Sequence, residues 1–103
     1  MRTRKATVLV TGDVRRGAAI VASTPLALKL NADRDLERSG EADLGGDTVY
    51  VSVALYSEPT ATFTVTITLE GLGSAKRKGR FVEDVAVRSW KIPLREFEED
   101  ADE

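Results

Sequence analysis

The most regular pattern in the chain is an alternation of apolar and polar side chains with a period of two. It is clearest in residues 59–71, "PTATFTVTITLEG", where every second residue from Thr60 to Thr68 is threonine and the residues between them are apolar. Such alternation predicts a β-strand with one face in the core and one face toward solvent. Residues 47–56, "DTVYVSVALY", follow the same rule, with four apolar residues in phase: Val49, Val51, Val53 and Leu55.

Alternation and turn residues together predict about seven short strands. The other five are a first strand that ends at the Gly12–Asp13 turn and the segments 18–23, 26–30, 80–88 and 90–95. Short strands separated by turns are typical of all-β sandwiches and barrels. We therefore predict an all-β fold, a single-domain antiparallel β-sandwich over residues 1–95. Its core is expected to contain Val8, Val10, Ile20, Leu28, Val51, Val53, Phe63, Val65, Ile67, Val85 and Trp90.

Residues 25–46 are compatible with a strand, a helix or both. Thr24 just before the segment, Pro25 and Gly40 stand where a helix places its capping residue, first-turn proline and closing glycine. The first three leucines of the segment, however, alternate as in a strand. A structureless loop over the second half of this segment would be unusually long for a compact domain. We predict a strand at 26–30 and then a short helical turn near 32–39, capped by Asn31.

Composition narrows the chemistry that the chain can perform. The 103 residues include neither cysteine nor histidine, while apolar residues make up 42%. The absence of both residue types excludes thiolate nucleophiles, zinc–sulfur sites, and triads or metal motifs that need histidine. We predict a protein that is not an enzyme, with no catalytic residues, no cofactor and no metal ligands.

One acidic segment has the alternation of a calcium-binding loop. Asp33, Asp35 and Glu37 are spaced by two, but Arg38 stands where the EF-hand loop requires glycine. A charged turn is the simpler interpretation, and calcium binding stays open as an alternative.

The charge and hydropathy of the chain limit its partners and its location. The formal net charge of −2 provides no general attraction to nucleic acid, so we expect no specific nucleic-acid partner. The apolar run near the start covers only residues 6–10, which is too short for a signal peptide, and no window is long enough to span a membrane. The expected location is the cytoplasm, with no transmembrane segment.

The threonine strand is the first candidate binding surface. Thr62, Thr64 and Thr66 share one face, and the only neighbouring strand with matching polar residues is the one that carries Tyr50 and Tyr56. Threonine suits any solvent-facing strand, so the simplest interpretation is a solvent-exposed face with no binding role. The alternatives are self-association through this face and a hydroxyl array that binds ice or sugar.

The charged segments near the end of the chain are the second candidate. Lys76, Arg77, Lys78 and Arg80 are predicted to lie in a mobile, glycine-flanked loop that could dock phosphates or anionic headgroups. Residues 96–103 are predicted to form an acidic, disordered tail, which could contact this basic loop in its own chain or in a neighbouring one.

Two functions follow from these surfaces. The leading hypothesis is a non-enzymatic protein-binding or assembly module, a homo-oligomer that self-associates through a sheet face or edge. The alternative is a binder of anionic surfaces, phospholipid or polyanion, through residues 76–80.

Overall fold

Residues 2–101 fold into nine strands and one helix. The computed structural model describes the backbone of residues 2–101 and the side chains of residues 3–97. The elements are β1 (Arg2–Gly12), β2 (Arg16–Val21), β3 (Thr24–Ala27), β4 (Lys29–Leu30), β5 (Leu36–Leu44), β6 (Thr48–Tyr56), β7 (Thr62–Leu69), β8 (Gly73–Arg80), β9 (Val85–Pro93) and α1 (Leu94–Ala101).

The strands form two antiparallel sheets that pack on each other. A five-stranded sheet has the order β4-β5-β1-β7-β8, and a four-stranded sheet has the order β3-β2-β6-β9. The prediction of an all-β antiparallel sandwich is confirmed. The strand count differs from the prediction for three reasons. β5 and β8 carry many charged residues, and their sequences predict a turn and a loop; the predicted strand 26–30 is divided between β3 and β4. The two predicted strands 80–88 and 90–95 are replaced by the single strand β9.

The core lies between the inner faces of the two sheets. The alternation in β1, β6 and β7 places the predicted apolar residues inward, and eight predicted core residues are buried: Val8, Val10, Leu28, Val51, Val53, Phe63, Val65 and Ile67. Phe63 and Phe81 meet edge to face, with ring centroids 5.4 Å apart and an interplanar angle of 70°. This geometry is one that aromatic pairs prefer.

Two predicted core residues point outward, and a third lies at the margin of the core. Ile20 is 48% exposed and Val85 is 40% exposed, and Trp90 is only partly buried against the core. In β2 the inward residues are Ala19 and Val21 instead of Ile20. Both faces of β2 and of the start of β9 are apolar, so the period of two does not indicate which face points inward.

The two open sides of the sandwich are closed differently. On one side the chain itself passes from β3 in one sheet to β4 in the other through the buried Leu28, and the Thr24 hydroxyl donates a hydrogen bond of 2.8 Å to the Glu41 carbonyl. On the other side α1 packs against edge strand β8, and Phe97 is 0% exposed. The helix therefore belongs to the packed body of the protein.

The helical turn predicted near 32–39 is absent from the structure. Residues 31–35 form the loop of the β4–β5 hairpin, and β5 begins at Leu36. Asn31 does act as a cap, because its side-chain oxygen accepts hydrogen bonds from the backbone N–H groups of Asp33 and Asp35, at 2.9 and 3.1 Å. These hydrogen bonds stabilise the turn that connects β4 to β5. The residues after the turn form a strand and not a helix, with Leu36, Ala42 and Leu44 buried on its inner face.

The end of the chain differs from the predicted disordered tail. Helix α1 extends through residues 94–101, where the sequence shows no periodic pattern. The two apolar residues Leu94 and Phe97 are three apart, which places them on one side of a helix, toward the core. Residues 102 and 103 of the predicted tail lie outside the described residues.

Candidate binding surfaces

The predicted site residues other than Arg77 lie on two opposite faces of the sandwich. Tyr50 and Tyr56 point outward from the four-stranded sheet, whereas the threonines of β7 point outward from the five-stranded sheet. The neighbours of β7 are β1 and β8, and not the tyrosine strand β6 that the sequence suggested. Alternation specifies which way a side chain points, but it carries little information about which strands pair.

The outer side of the four-stranded sheet is an exposed apolar surface. We call it the apolar face and define it by the outward residues of β3, β2, β6 and β9. Among residues 3–97, five of the seven large apolar side chains that are exposed lie here: Ile20, Tyr50, Tyr56, Val85 and Val87. In one row across all four strands, the cross-strand register aligns Ala27, Ala18, Ala54 and Val87. Val87 is 62% exposed at the end of this row.

The polar groups of the apolar face contact one another. The hydroxyls of Ser52 and Ser89 are 3.0 Å apart, the Arg16 guanidinium lies 4.8 Å from the Tyr56 ring centroid, and the Lys91 ammonium lies 5.9 Å from that of Tyr50. The outward residues of these four strands include no acidic side chain. Covering the middle of this face would bury no carboxylate, and its two serine hydroxyls already contact each other.

Most of this face was not predicted from the sequence. Alternation assigns Ile20 and Val85 to the core, and Val87 shares the phase of Val85. The available signal was the continuous apolar composition of residues 18–22 and 85–87, which provides one apolar face more than the core needs.

The outer side of the five-stranded sheet pairs hydroxyls with cations. On β7 and β8 three outward threonines lie directly across from outward cations: Thr62 from Arg80, Thr64 from Lys78 and Thr66 from Lys76. Directly opposed residues have Cβ atoms roughly 4.5–5.5 Å apart. We call these six residues the hydroxyl–cation face. The structure thus brings together two groups that the sequence suggested as separate candidates.

The basic segment is an edge strand, which corrects the predicted mobile loop. Residues 76–80 lie within β8, with Lys76, Lys78 and Arg80 exposed and Ala75 buried. Gly79 faces inward, where a Cβ atom would lie only 2.4 Å from the Cζ atom of Phe63. The glycine that suggested a flexible loop is therefore required by close packing.

Arg77 is not part of the hydroxyl–cation face. Its side chain points inward and donates two hydrogen bonds to the Glu96 carboxylate of α1, at 2.6 and 2.9 Å. These hydrogen bonds lower the pKa of Glu96 and raise that of Arg77, while partial burial opposes both shifts. The predicted contact between the acidic end of the chain and the basic segment is thus present within one chain at this pair.

Acidic residues lie on the five-stranded sheet at the side away from β8. Glu37, Glu41 and Asp43 point outward from β5, which is three strand positions from β8. The residues that the structure describes contain no group of three acidic side chains placed to hold a metal ion. At the predicted calcium segment, Asn31 uses its amide oxygen for the turn and its amide nitrogen lies 3.4 Å from Glu37 Oε1.

A cleft of about 580 Å³ opens at one end of the sandwich, between the β1–β2 and β6–β7 connections. The Ser57 hydroxyl in its wall donates to the Asp13 carbonyl, and Arg15 forms an ion pair with Glu58. Thr60, in the same wall, has a positive φ of 70°. The lining contains two hydroxyls and two carboxylates, of which the Ser57 hydroxyl and the Glu58 carboxylate have these partners.

Comparison with known proteins gave no match to a family model, to a curated protein or to a solved structure. Within residues 2–101, the only helix is α1, which is too short to cross a membrane.

Proposed function

We propose that the protein is a non-enzymatic assembly module that self-associates through the apolar face. The observation that carries this proposal is the cluster of five exposed large apolar side chains on one side of the four-stranded sheet. The largest apolar patch on a monomeric protein is typically about 300–600 Å², and such patches are often functional. A face that has no acidic residue, in a chain of net charge −2, is a further departure from an ordinary solvent-facing surface.

The size of the face fits a weak and reversible dimer. With strands about 4.8 Å apart and a rise of about 3.3 Å per residue, the four strands cover on the order of 450 Å². Two copies would bury on the order of 900 Å² in total, below the ~1,200 Å² at which stable interfaces begin. We therefore expect micromolar or weaker association instead of an obligate oligomer.

One two-fold arrangement of two copies sets small residues against small residues and a cation against an aromatic ring. If the two-fold axis runs parallel to the strands between β2 and β6, β2 of one copy lies over β6 of the other, about 10 Å away. Ala18 then faces Ala54 of the second copy, and Arg16 faces the Tyr56 ring of the second copy.

The test compares charge introduced on either face of the sandwich. Ile20→Lys with Val87→Lys adds two charges to the apolar face, and Ser39→Lys with Thr68→Lys adds two charges to exposed sites on the opposite face. In sedimentation velocity over a concentration series, wild type and the Ser39/Thr68 variant should dimerise, and the Ile20/Val87 variant should stay monomeric. A wild-type protein that is monomeric throughout, or an Ile20/Val87 variant that dimerises like wild type, would contradict the proposal.

As a second candidate we propose binding to anionic surfaces through the hydroxyl–cation face. The observation that favours it is the register that sets a threonine opposite each of the three exposed cations of β8. Cosedimentation with vesicles containing phosphatidylserine, at low and physiological salt, tests this function in its general form. If the vesicles still bind the protein equally well after Lys76, Lys78 and Arg80 are replaced by glutamine, this second function is contradicted.

A further inference from the structure

We infer that the ligand of the hydroxyl–cation face is a linear polyanion, a chain of sulfate or phosphate groups that lies along β8. This inference rests on the second candidate function and narrows its ligand class.

The first support is the repeat of the same donor pair along the strand. Outward residues of a strand recur every second position, so the three cations are spaced about 7 Å apart and the row is about 14 Å long. Each cation has a threonine hydroxyl directly across from it on β7. A charged donor and a hydroxyl together suit one anionic group, and three such pairs in line suit a chain that carries anionic groups at regular intervals.

The second support is the availability of the three cations. Within residues 3–97, Lys76, Lys78 and Arg80 form no ion pair, and all three are exposed. Arg77, the fourth cation of the segment, points inward and holds Glu96. The inward ion pair occupies a carboxylate that lies next to the row and would otherwise compete with an anionic ligand.

The third support is the position of the acidic residues, which argues against a flat lipid surface. β5, with Glu37, Glu41 and Asp43 pointing outward, lies three strand spacings from β8, about 14 Å. A planar anionic membrane laid on this sheet would meet the acidic strand as well as the basic strand. A narrow polymer along β8 stays farther from β5 than the Debye length of about 8 Å at physiological salt, so the repulsion is largely screened.

The aromatic content of the strand bears on the type of polymer. β8 has no aromatic residue, and the adjacent Phe81 is buried in the core. Proteins that bind single-stranded nucleic acids stack bases on exposed aromatic rings, which this surface lacks among the described residues of β7 and β8. The recognised group is therefore the sulfate or phosphate itself and not a base.

A structural explanation for the charged row must also be tested. Charged residues on an edge strand hinder pairing with a strand of another molecule, and Lys76, Lys78 and Arg80 would do so without any ligand. This explanation predicts no binding of polyanions at physiological salt, and it predicts self-association through β8 when the charges are removed.

The experiment measures binding of labelled heparin oligosaccharide, labelled inorganic polyphosphate and phosphatidylserine vesicles to three proteins. They are the wild type, Lys76→Gln/Lys78→Gln/Arg80→Gln, and a control with Lys29→Gln/Arg34→Gln/Arg38→Gln at the opposite edge of the same sheet. Both variants lose three exposed positive charges. We expect the wild type and the control to bind at least one polymer at physiological salt. We expect the β8 variant to bind at least tenfold more weakly, with a salt dependence reduced by up to about three counterions.

Each other outcome overturns part of the account. Binding to vesicles without binding to either polymer overturns the linear ligand and leaves the second candidate function standing. Binding to none of the three probes overturns both. Equal losses in the two variants show an effect of net charge alone. A further variant, Thr64→Val/Thr66→Val, keeps every charge and should weaken polymer binding severalfold, and unchanged affinity would overturn the paired-donor site.

Discussion

Arg77 and Glu96 join edge strand β8 to helix α1 through two parallel hydrogen bonds, Nη1 to Oε2 at 2.6 Å and Nη2 to Oε1 at 2.9 Å. A guanidinium and a carboxylate in this two-pronged geometry hold each other in one orientation. Because both side chains are partly exposed, solvent screens the attraction and the pair contributes less than about 1 kcal/mol. Its main effect is to fix the helix against the strand.

This pair predicts a pH dependence of stability. The hydrogen bonds from Arg77 lower the pKa of Glu96 in the folded state below that in the unfolded chain. The stabilisation is therefore complete above the ordinary carboxyl pKa of about 4.3, and it is lost as the pH falls through the lower folded-state value. Urea unfolding at pH 7 and at pH 3 should show a smaller loss on acidification for Glu96→Gln than for wild type. Equal losses would show that Glu96 carries none of the acid sensitivity.

Phe97→Ala should destabilise the fold strongly. Phe97 is fully buried although it lies in the segment for which the sequence pattern predicts a loose tail. Truncation of a large buried aromatic residue costs about 3–5 kcal/mol. The control is Arg95→Ala, an exposed position in the same helix, which should change the free energy of unfolding by less than about 0.5 kcal/mol. Similar denaturation midpoints for the two variants would mean that α1 is not docked.

Gly79→Ala should also destabilise, through crowding. The added methyl group would lie 2.4 Å from the Cζ atom of Phe63, and overpacking of this kind costs about 1–3 kcal/mol. Gly45→Ala is the matched control and should be nearly neutral, since its added methyl group would have no other atom within 4 Å beyond its chain neighbours. In a double-mutant cycle, Phe63→Leu should relieve part of the cost of Gly79→Ala. If the changes in unfolding free energy of the two single variants simply add in the double variant, the contact between residue 79 and the Phe63 ring is contradicted.

The two faces of β7 should respond differently to truncation. Phe63→Ala should cost about 3–5 kcal/mol because the ring is buried against Phe81, whereas Thr64→Ala, on the outer side, should cost under about 1 kcal/mol. Chemical denaturation of both variants measures this difference. Comparable shifts in the two denaturation midpoints would contradict the placement of Phe63 on the inner face and Thr64 on the outer face of β7.

Strands with one apolar face were predictable from the sequence, and strands with two were not. In β7 a threonine separates each pair of buried apolar residues, so the buried set follows directly from the period of two. In β2 both Ala19–Val21 and Ala18–Ile20 are apolar, so either phase buries a similar area. The choice depends on which strands lie opposite, which is a tertiary property. The same ambiguity concealed the apolar face.

Charged strands were the other feature that the sequence pattern did not reveal. β8 carries four cations and two glycines, and it is a strand because β7 pairs with it along its whole length and because Gly79 makes room for the Phe63 ring. β5 contains only three buried apolar residues among charged ones, so its alternation is weak. Of the candidate sites, the cations and the threonines were each predictable from the sequence. Their cross-strand register depends on pairing that one strand's sequence does not encode.

Cysteine cross-linking tests the apolar-face dimer most directly, because the chain has no cysteine of its own. Ala54→Cys places one thiol at the centre of the apolar face. Thr68→Cys places one thiol on the outer side of the five-stranded sheet. Thr68 is the more exposed position, so chance collisions favour the control. With a short bis-maleimide at the protein concentration where wild type dimerises, the account predicts rapid cross-linking of the Ala54→Cys protein and little of the Thr68→Cys protein. Cross-linking of Ala54→Cys that is no faster than that of Thr68→Cys would contradict self-association through this face.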